Sequence, residues 1–125
     1  MATWTEDELR RIHAGTELQI ETRRLNGTLR PAIPIWHAVV GDALYIRSAH
    51  GPESHWFRQA LRHRTGRVTA GGVRKEVSFE LADPSIREAL DAALHVKYDR
   101  YGAGPVGAIT GDDVLRTTLR VMPRG

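Results

Sequence analysis

Residues 67–81, Arg67-Val68-Thr69-Ala70-Gly71-Gly72-Val73-Arg74-Lys75-Glu76-Val77-Ser78-Phe79-Glu80-Leu81, read as two strands folded back on each other. Adjacent glycines tolerate the backbone of a tight turn, and β-branched and aromatic residues flank them. So short a connection joins antiparallel strands only. The same pattern recurs upstream. Glu17–Thr22 alternates like a half-buried strand, and Asn26-Gly27 predicts a type I′ turn with positive φ at both positions. A returning strand is expected over Thr28–Val40, with Pro31 and Pro34 making it an edge or a bulged strand. Gly41-Asp42 turns the chain into Ala43–Ser48, and a last strand is expected over Leu115–Met122.

Three helices punctuate these strands. Thr5 and Glu8 have the spacing of a capping box, Trp4 and Leu9 that of a hydrophobic staple, and Gly15 supplies a stop, giving a helix over Glu6–Ala14. Ser54 can cap a second helix over His55–Arg64, with Phe57, Ala60, Leu61 and Arg64 on one face. Asp83-Pro84 starts a third, whose stripe is Ile86, Leu90, Ala93, Leu94 and Lys97. Gly102–Gly107 cannot stay regular. The order α-β-β-β-α-β-β-α-β predicts a mainly β (α+β) domain over residues 1–125. Six antiparallel strands form a small closed or split barrel, with three peripheral helices.

Composition bounds the function. The 125 residues are 41% hydrophobic and 26% charged, ordinary values for one globular domain. Cysteine is absent, which excludes disulfides, thiolate metal sites and cysteine nucleophiles. No apolar run approaches a membrane span. Met1–Glu6 lacks the basic and apolar regions of a signal peptide, so a cytoplasmic location is expected. Net charge is +3, but unevenly spread: from Arg47 to Lys75 seven basic residues face the single acid Glu53. That asymmetry suggests an anionic partner, a solvated basic helix and strand being the alternative. A nucleic acid is not the expected partner, because Arg58, Arg62 and Arg64 are not interleaved with exposed aromatics. HExxH, P-loop, G-x-S-x-G and G-x-G-x-x-G patterns are all absent, and no metal site is expected.

The best chemical constellation runs from Arg47 to Arg58, strand to loop to helix start. Free N–H groups of a first helical turn, with Arg47, Ser48 and Ser54 beside them, make an anion seat. Gly51 allows close backbone approach, and Trp56 offers a flat surface for a ring. Phosphate plus ring describes a nucleotide-like cofactor. The same residues also fit an ordinary capped helix with Trp56 in the core. A second cluster, Lys97-Tyr98-Asp99-Arg100-Tyr101, places Tyr98 and Tyr101 as candidate proton donors or substrate contacts. It fits equally a cationic helix end with both tyrosines packed.

Trp4-Thr5-x-x-Glu8-Leu9, Leu44-Tyr45-Ile46-Arg47-Ser48, Trp56-Phe57-Arg58, Gly71-Gly72-Val73, Lys97-Tyr98-x-x-Tyr101-Gly102 and Thr117-Thr118-Leu119-Arg120 together resemble the bacterial domain of unknown function numbered 2255. More distantly, Arg47 through Gly72 resembles the split-barrel flavin-binding proteins, especially deazaflavin-dependent nitroreductases. That resemblance implies a homodimer holding flavin mononucleotide or a deazaflavin coenzyme and passing a hydride to a small-molecule substrate. It implies Arg47, Ser48, Gly51, Ser54, His55, Trp56 and Arg58 as cofactor contacts. Ser54 stands where those relatives carry proline, Gln59 where they carry asparagine, and the loop lacks their lysine. The alternative is a cofactor-free binding or catalytic module that has kept the barrel.

Overall fold

The computed structural model describes residues 3–48, 54–102 and 117–124. Its elements are α1 (Glu6–Ala14), β1 (Leu18–Thr22), β2 (Ile33–Ile35), β3 (His37–Val40), β4 (Ala43–Arg47), α2 (His55–His63), β5 (Thr65–Ala70), β6 (Val73–Leu81), α3 (Arg87–Tyr98) and β7 (Thr118–Pro123). A short 3-10 turn, Pro84–Ile86, leads into α3, with the Asp83 carboxylate accepting from the Ser85 N–H. The predicted strand over 28–40 is two strands, so the sheet has seven rather than six among the described residues. Its prolines and Trp36 break it: β2 is three residues long and β3 begins beyond Trp36.

Every pairing is antiparallel, in the order β2-β1-β5-β6-β7-β4-β3. β2 and β3 lie at opposite ends of that order, yet only Trp36 separates them. A flat sheet cannot satisfy both facts, so the sheet curls until its ends meet at Trp36. This is the barrel. Its main core contains Leu18, Ile20, Leu44, Ile46, Val68, Val77, Phe79, Leu119 and Val121, with Trp4, Leu9 and Ile12 from the α1 side and Trp56, Phe57 and Ala60 from α2. A second cluster lies under α3, where Leu90, Leu94 and Tyr98 pack on Ala38, Ala43 and Tyr45.

The α1 cap forms as the spacing predicts: Glu8 N–H donates to Thr5 Oγ1 and Thr5 N–H to Glu8 Oε1, each at 3.0 Å. Three local expectations are corrected. Gly15 is extended, at φ −71°, so no left-handed residue stops α1; its bare Cα instead lets the helix end lie against the Gly71 backbone. Asn26 has no positive φ, and Leu25-Asn26-Gly27 form a three-residue loop with only Gly27 left-handed (φ 86°). Arg64 caps α2 in the left-handed region, at φ 62°, instead of extending its apolar face.

The type I′ character lies in the Gly71-Gly72 turn, where φ is 57° and 82° between the paired residues Ala70 and Val73. A Cβ on Gly71 would fall 1.8 Å from the Arg11 carbonyl oxygen, whereas one on Gly72 would meet nothing within 4 Å. Gly71→Ala is expected to lower unfolding free energy by at least about 2 kcal/mol, combining left-handed strain with displacement of α1. Gly72→Ala is expected to lower it by only about 1 kcal/mol. Urea unfolding of the two variants tests this, and equal losses would refute the α1 contact.

Candidate functional site

Alternation along β4 sends Leu44 and Ile46 into the main core and Tyr45 toward α3. Arg47 shares Tyr45's side. It is buried at 4% exposure, donates from Nε to Thr118 Oγ1 at 2.8 Å, and pairs through Nη1 with Asp91 of α3. Arg87 lies 3.6 Å from the other oxygen of that carboxylate. Ser48 is fully buried, and its backbone bonds Thr117 in both directions. The anion that Arg47 meets is therefore the protein's own. Arg47 and Ser48, expected to face a ligand, are both buried among the described residues. A guanidinium beneath a helix needs an internal counter-charge, and Asp91 supplies it.

Trp56 is buried likewise. It is part of the apolar face by which α2 enters the main core, edge-on to Phe57 at 6.0 Å, and presents no flat surface to a ligand. Gly51 lies outside the described residues. What remains at the start of α2 is Ser54, His55 and Arg58. Ser54 opens the helix, its carbonyl accepting from the Arg58 N–H at 3.1 Å, but its hydroxyl makes no capping bond. The first turn holds no acidic residue to offset the positive end of the helix dipole, and both His55 and Arg58 are exposed.

The end of α3 is a buried polar knot. Tyr98 is fully buried, its ring stacked on Trp36 at 4.2 Å and 6°. Its hydroxyl donates to the Thr16 carbonyl at 2.8 Å, with the His37 carbonyl at 3.1 Å, and accepts from the His37 N–H. His37 is also fully buried, and its Nε2 lies 2.6 Å from the Ile12 carbonyl, a contact that places the proton on Nε2. Lys97 Nζ donates a hydrogen bond to the His37 carbonyl at 3.1 Å and lies 3.1 Å from His37 Nε2, and no carboxylate pairs with it among the described residues. His13 Nδ1 accepts from the Val39 N–H.

Burial dominates the titration of this knot. It pushes His37 down to about 4, with the Lys97 ammonium adding to the effect. It brings Lys97 down to about 8 and raises Tyr98 to about 12. His13 is lowered too, by burial first and by Lys97 second. Tyr98 is thus no proton donor to a substrate: it is enclosed, and its proton is held by a backbone carbonyl. Tyr101 is exposed, lies obliquely against Trp36 at 5.4 Å, and accepts from Arg100 at 3.1 Å.

Sequence reasoning missed Asp91 and His37. The signals were an acid one residue past Leu90 on the α3 stripe, and a lone histidine within an apolar strand. Among the described residues no group of three metal-ligating side chains gathers, and no helix is long and apolar enough to cross a membrane.

Residues 8–121 match the model of the family described as "Uncharacterized protein conserved in bacteria (DUF2255)". No curated protein matches the chain. Solved structures share its fold, among them the following three. A Listeria innocua protein provisionally assigned as a pyridoxamine 5'-phosphate oxidase superposes with a TM-score of 0.66 at 15% identity, over 96% of this chain and 93% of that one. For an F420 reductase the values are 0.63 and 17%, over 98% and 97%. For a FAD-binding protein from Mesorhizobium loti they are 0.58 and 14%, over 98% and 92%. At these identities the likeness is one of fold, and the fold is the split barrel.

The knot makes stability depend on pH. His37 has a folded pKa of about 4 against an ordinary 6.5, so the unfolded chain takes up its proton first as pH falls. Stability is expected to drop between pH 6.5 and 4, by an amount on the order of 3 kcal/mol for this one group. Urea unfolding at pH 7 and pH 5 should show the loss, and His37→Gln should flatten the slope. An unchanged slope in that variant would place the titration elsewhere. Arg47→Ala strands the Asp91 carboxylate and is expected to cost about 3 kcal/mol of stability. Thermal unfolding checks it, and a melting temperature equal to the parent's would show that the pair is not structural.

Proposed function

The chain belongs to the bacterial family DUF2255, and on that premise we propose that it is a flavin- or deazaflavin-binding protein of the oxidoreductase class. The observation that carries the reading is the acid-free first turn of α2 with Ser54 unspent, on a split-barrel frame shared with an F420 reductase and a FAD-binding protein. The residues present fit the phosphate end of such a cofactor. Ser54 offers a hydroxyl, Arg58 a fixed positive charge and the first turn its N–H groups, while exposed His55 adds a donor. They do not fit the ring at Trp56 or Tyr98, which are enclosed.

Flavin mononucleotide or a deazaflavin coenzyme, when bound, supplies hydride transfer to a small-molecule substrate. The chain's own contribution is to hold the phosphate and keep the barrel rigid behind it. Tyr101 is the aromatic residue of the proposed pair that remains open to a substrate. A homodimer belongs to the same reading: Leu81, Val96 and Tyr101 leave apolar surface exposed for a second copy.

A second reading is a cofactor-free module that binds or transforms a small molecule. The internal commitment of Arg47 and Trp56 favours it.

Titration with flavin mononucleotide and with coenzyme F420, followed by calorimetry and tryptophan fluorescence, separates the two. Saturable micromolar binding is expected, weakened about ten-fold or more in Arg58→Ala, the worth of a hydrogen bond to a charged group. Light scattering on the same sample reads the mass of a dimer. No response at millimolar concentrations of either cofactor would leave the cofactor-free reading standing.

A further inference from the structure

The start of β4 and the end of β7 frame a second cavity, at the far end of β4 from Ser48. It has a volume of about 390 Å³ and is lined by Thr3, Trp4, Asp42, Ala43, Arg120, Val121, Met122 and Pro123. That volume falls within the ordinary range for small-molecule pockets, roughly 300–1,000 Å³. The five residues along β4's start and β7 other than Arg120 are apolar or, in Asp42, acidic, and Trp4 adds an indole wall. The indole N–H is already held by the Val121 carbonyl at 2.9 Å, so the ring is fixed in place.

Arg120 is the cation that lines this cavity. Glu80 stands directly opposite it on β6 and Tyr45 on β4, yet the Arg120 guanidinium makes no ion pair or hydrogen bond among the described residues. Its Nε–H is buried without an acceptor. A buried donor left unmet costs free energy, and native structures carry few of them. Arg47 has Asp91 and Arg67 holds both oxygens of Glu21, whereas Arg30 and Lys97 also lack a carboxylate among the described residues but do not line this cavity.

We propose that this cavity binds a small organic monocarboxylate, its carboxylate on Arg120 and its apolar body against Trp4, Met122 and Pro123. A planar carboxylate matches the guanidinium fork and, after a small side-chain rotation, satisfies the Nε–H. Asp42 on the rim selects against a second negative charge, so phosphate dianions and dicarboxylates are disfavoured, while a hydroxyl or amino donor on the ligand is welcome there. The site lies about 17 Å along β4 from Ser48 and does not depend on the cofactor reading.

Phenylacetate is the probe, with phenylacetamide and phenyl phosphate as neutral and dianionic analogues. Calorimetry gives affinities, and the 15N-resolved Nε–H resonance of Arg120 reports the site. Phenylacetate is expected to move that resonance saturably and to bind at least ten-fold tighter than either analogue. Arg120→Gln is expected to weaken phenylacetate at least ten-fold with an unchanged circular dichroism spectrum. Asp42→Asn, on an exposed turn, is expected to raise the affinity for phenyl phosphate. Equal binding of acid and amide, an unmoved Arg120 resonance at tens of millimolar phenylacetate, or unchanged affinity in Arg120→Gln would overturn the proposal.

Discussion

The geometry of this protein depends on a one-residue corner. Trp36 joins the two strands that stand at opposite ends of a seven-stranded sheet, so the sheet has to close. The corner is held from one side by the Tyr98 ring, stacked flat on the indole, and from below by His37, whose backbone and imidazole anchor both α3 and α1. An aromatic stack of this kind contributes about 1 kcal/mol beyond the area it buries. The larger effect is positional. With the corner fixed, β4 and β7 lie side by side beneath α3, and Arg47 has nowhere to go except toward Asp91.

Much of the fold was legible because its signals are local. The α1 capping box, the glycine pair at 71–72, the Asp83 start and the α3 stripe each depend on residues a few positions apart, and each forms where the spacing places it. The errors share a cause. Asn26-Gly27 looked like a tighter turn than it is because the pairing of Arg24 with Thr28 sets the loop length, and that register is decided by strands, not by the turn residues alone. The strand over 28–40 broke at Trp36 for a reason of closure, which no window of sequence contains.

The candidate site was half legible. The helix start, with Ser54, His55 and Arg58 on it, could be read from the chain. The fate of the charges could not, because their partners are distant in sequence: Arg47 with Asp91, Arg67 with Glu21, Lys75 with Glu8. These pairings give three of the seven cations in the positive third of the chain an internal partner. Among the described residues, Arg58 outside and Arg120 inside are two cations without such a partner. Lys97 has no carboxylate among the described residues, and its burial makes the ammonium easier to neutralise.

Pro34 sits in the middle of the three-residue strand that forms one rim of the sheet. With no N–H to donate, it spoils the template that an intruding β-segment would need. Strand addition and fibril-like growth through that rim are therefore discouraged.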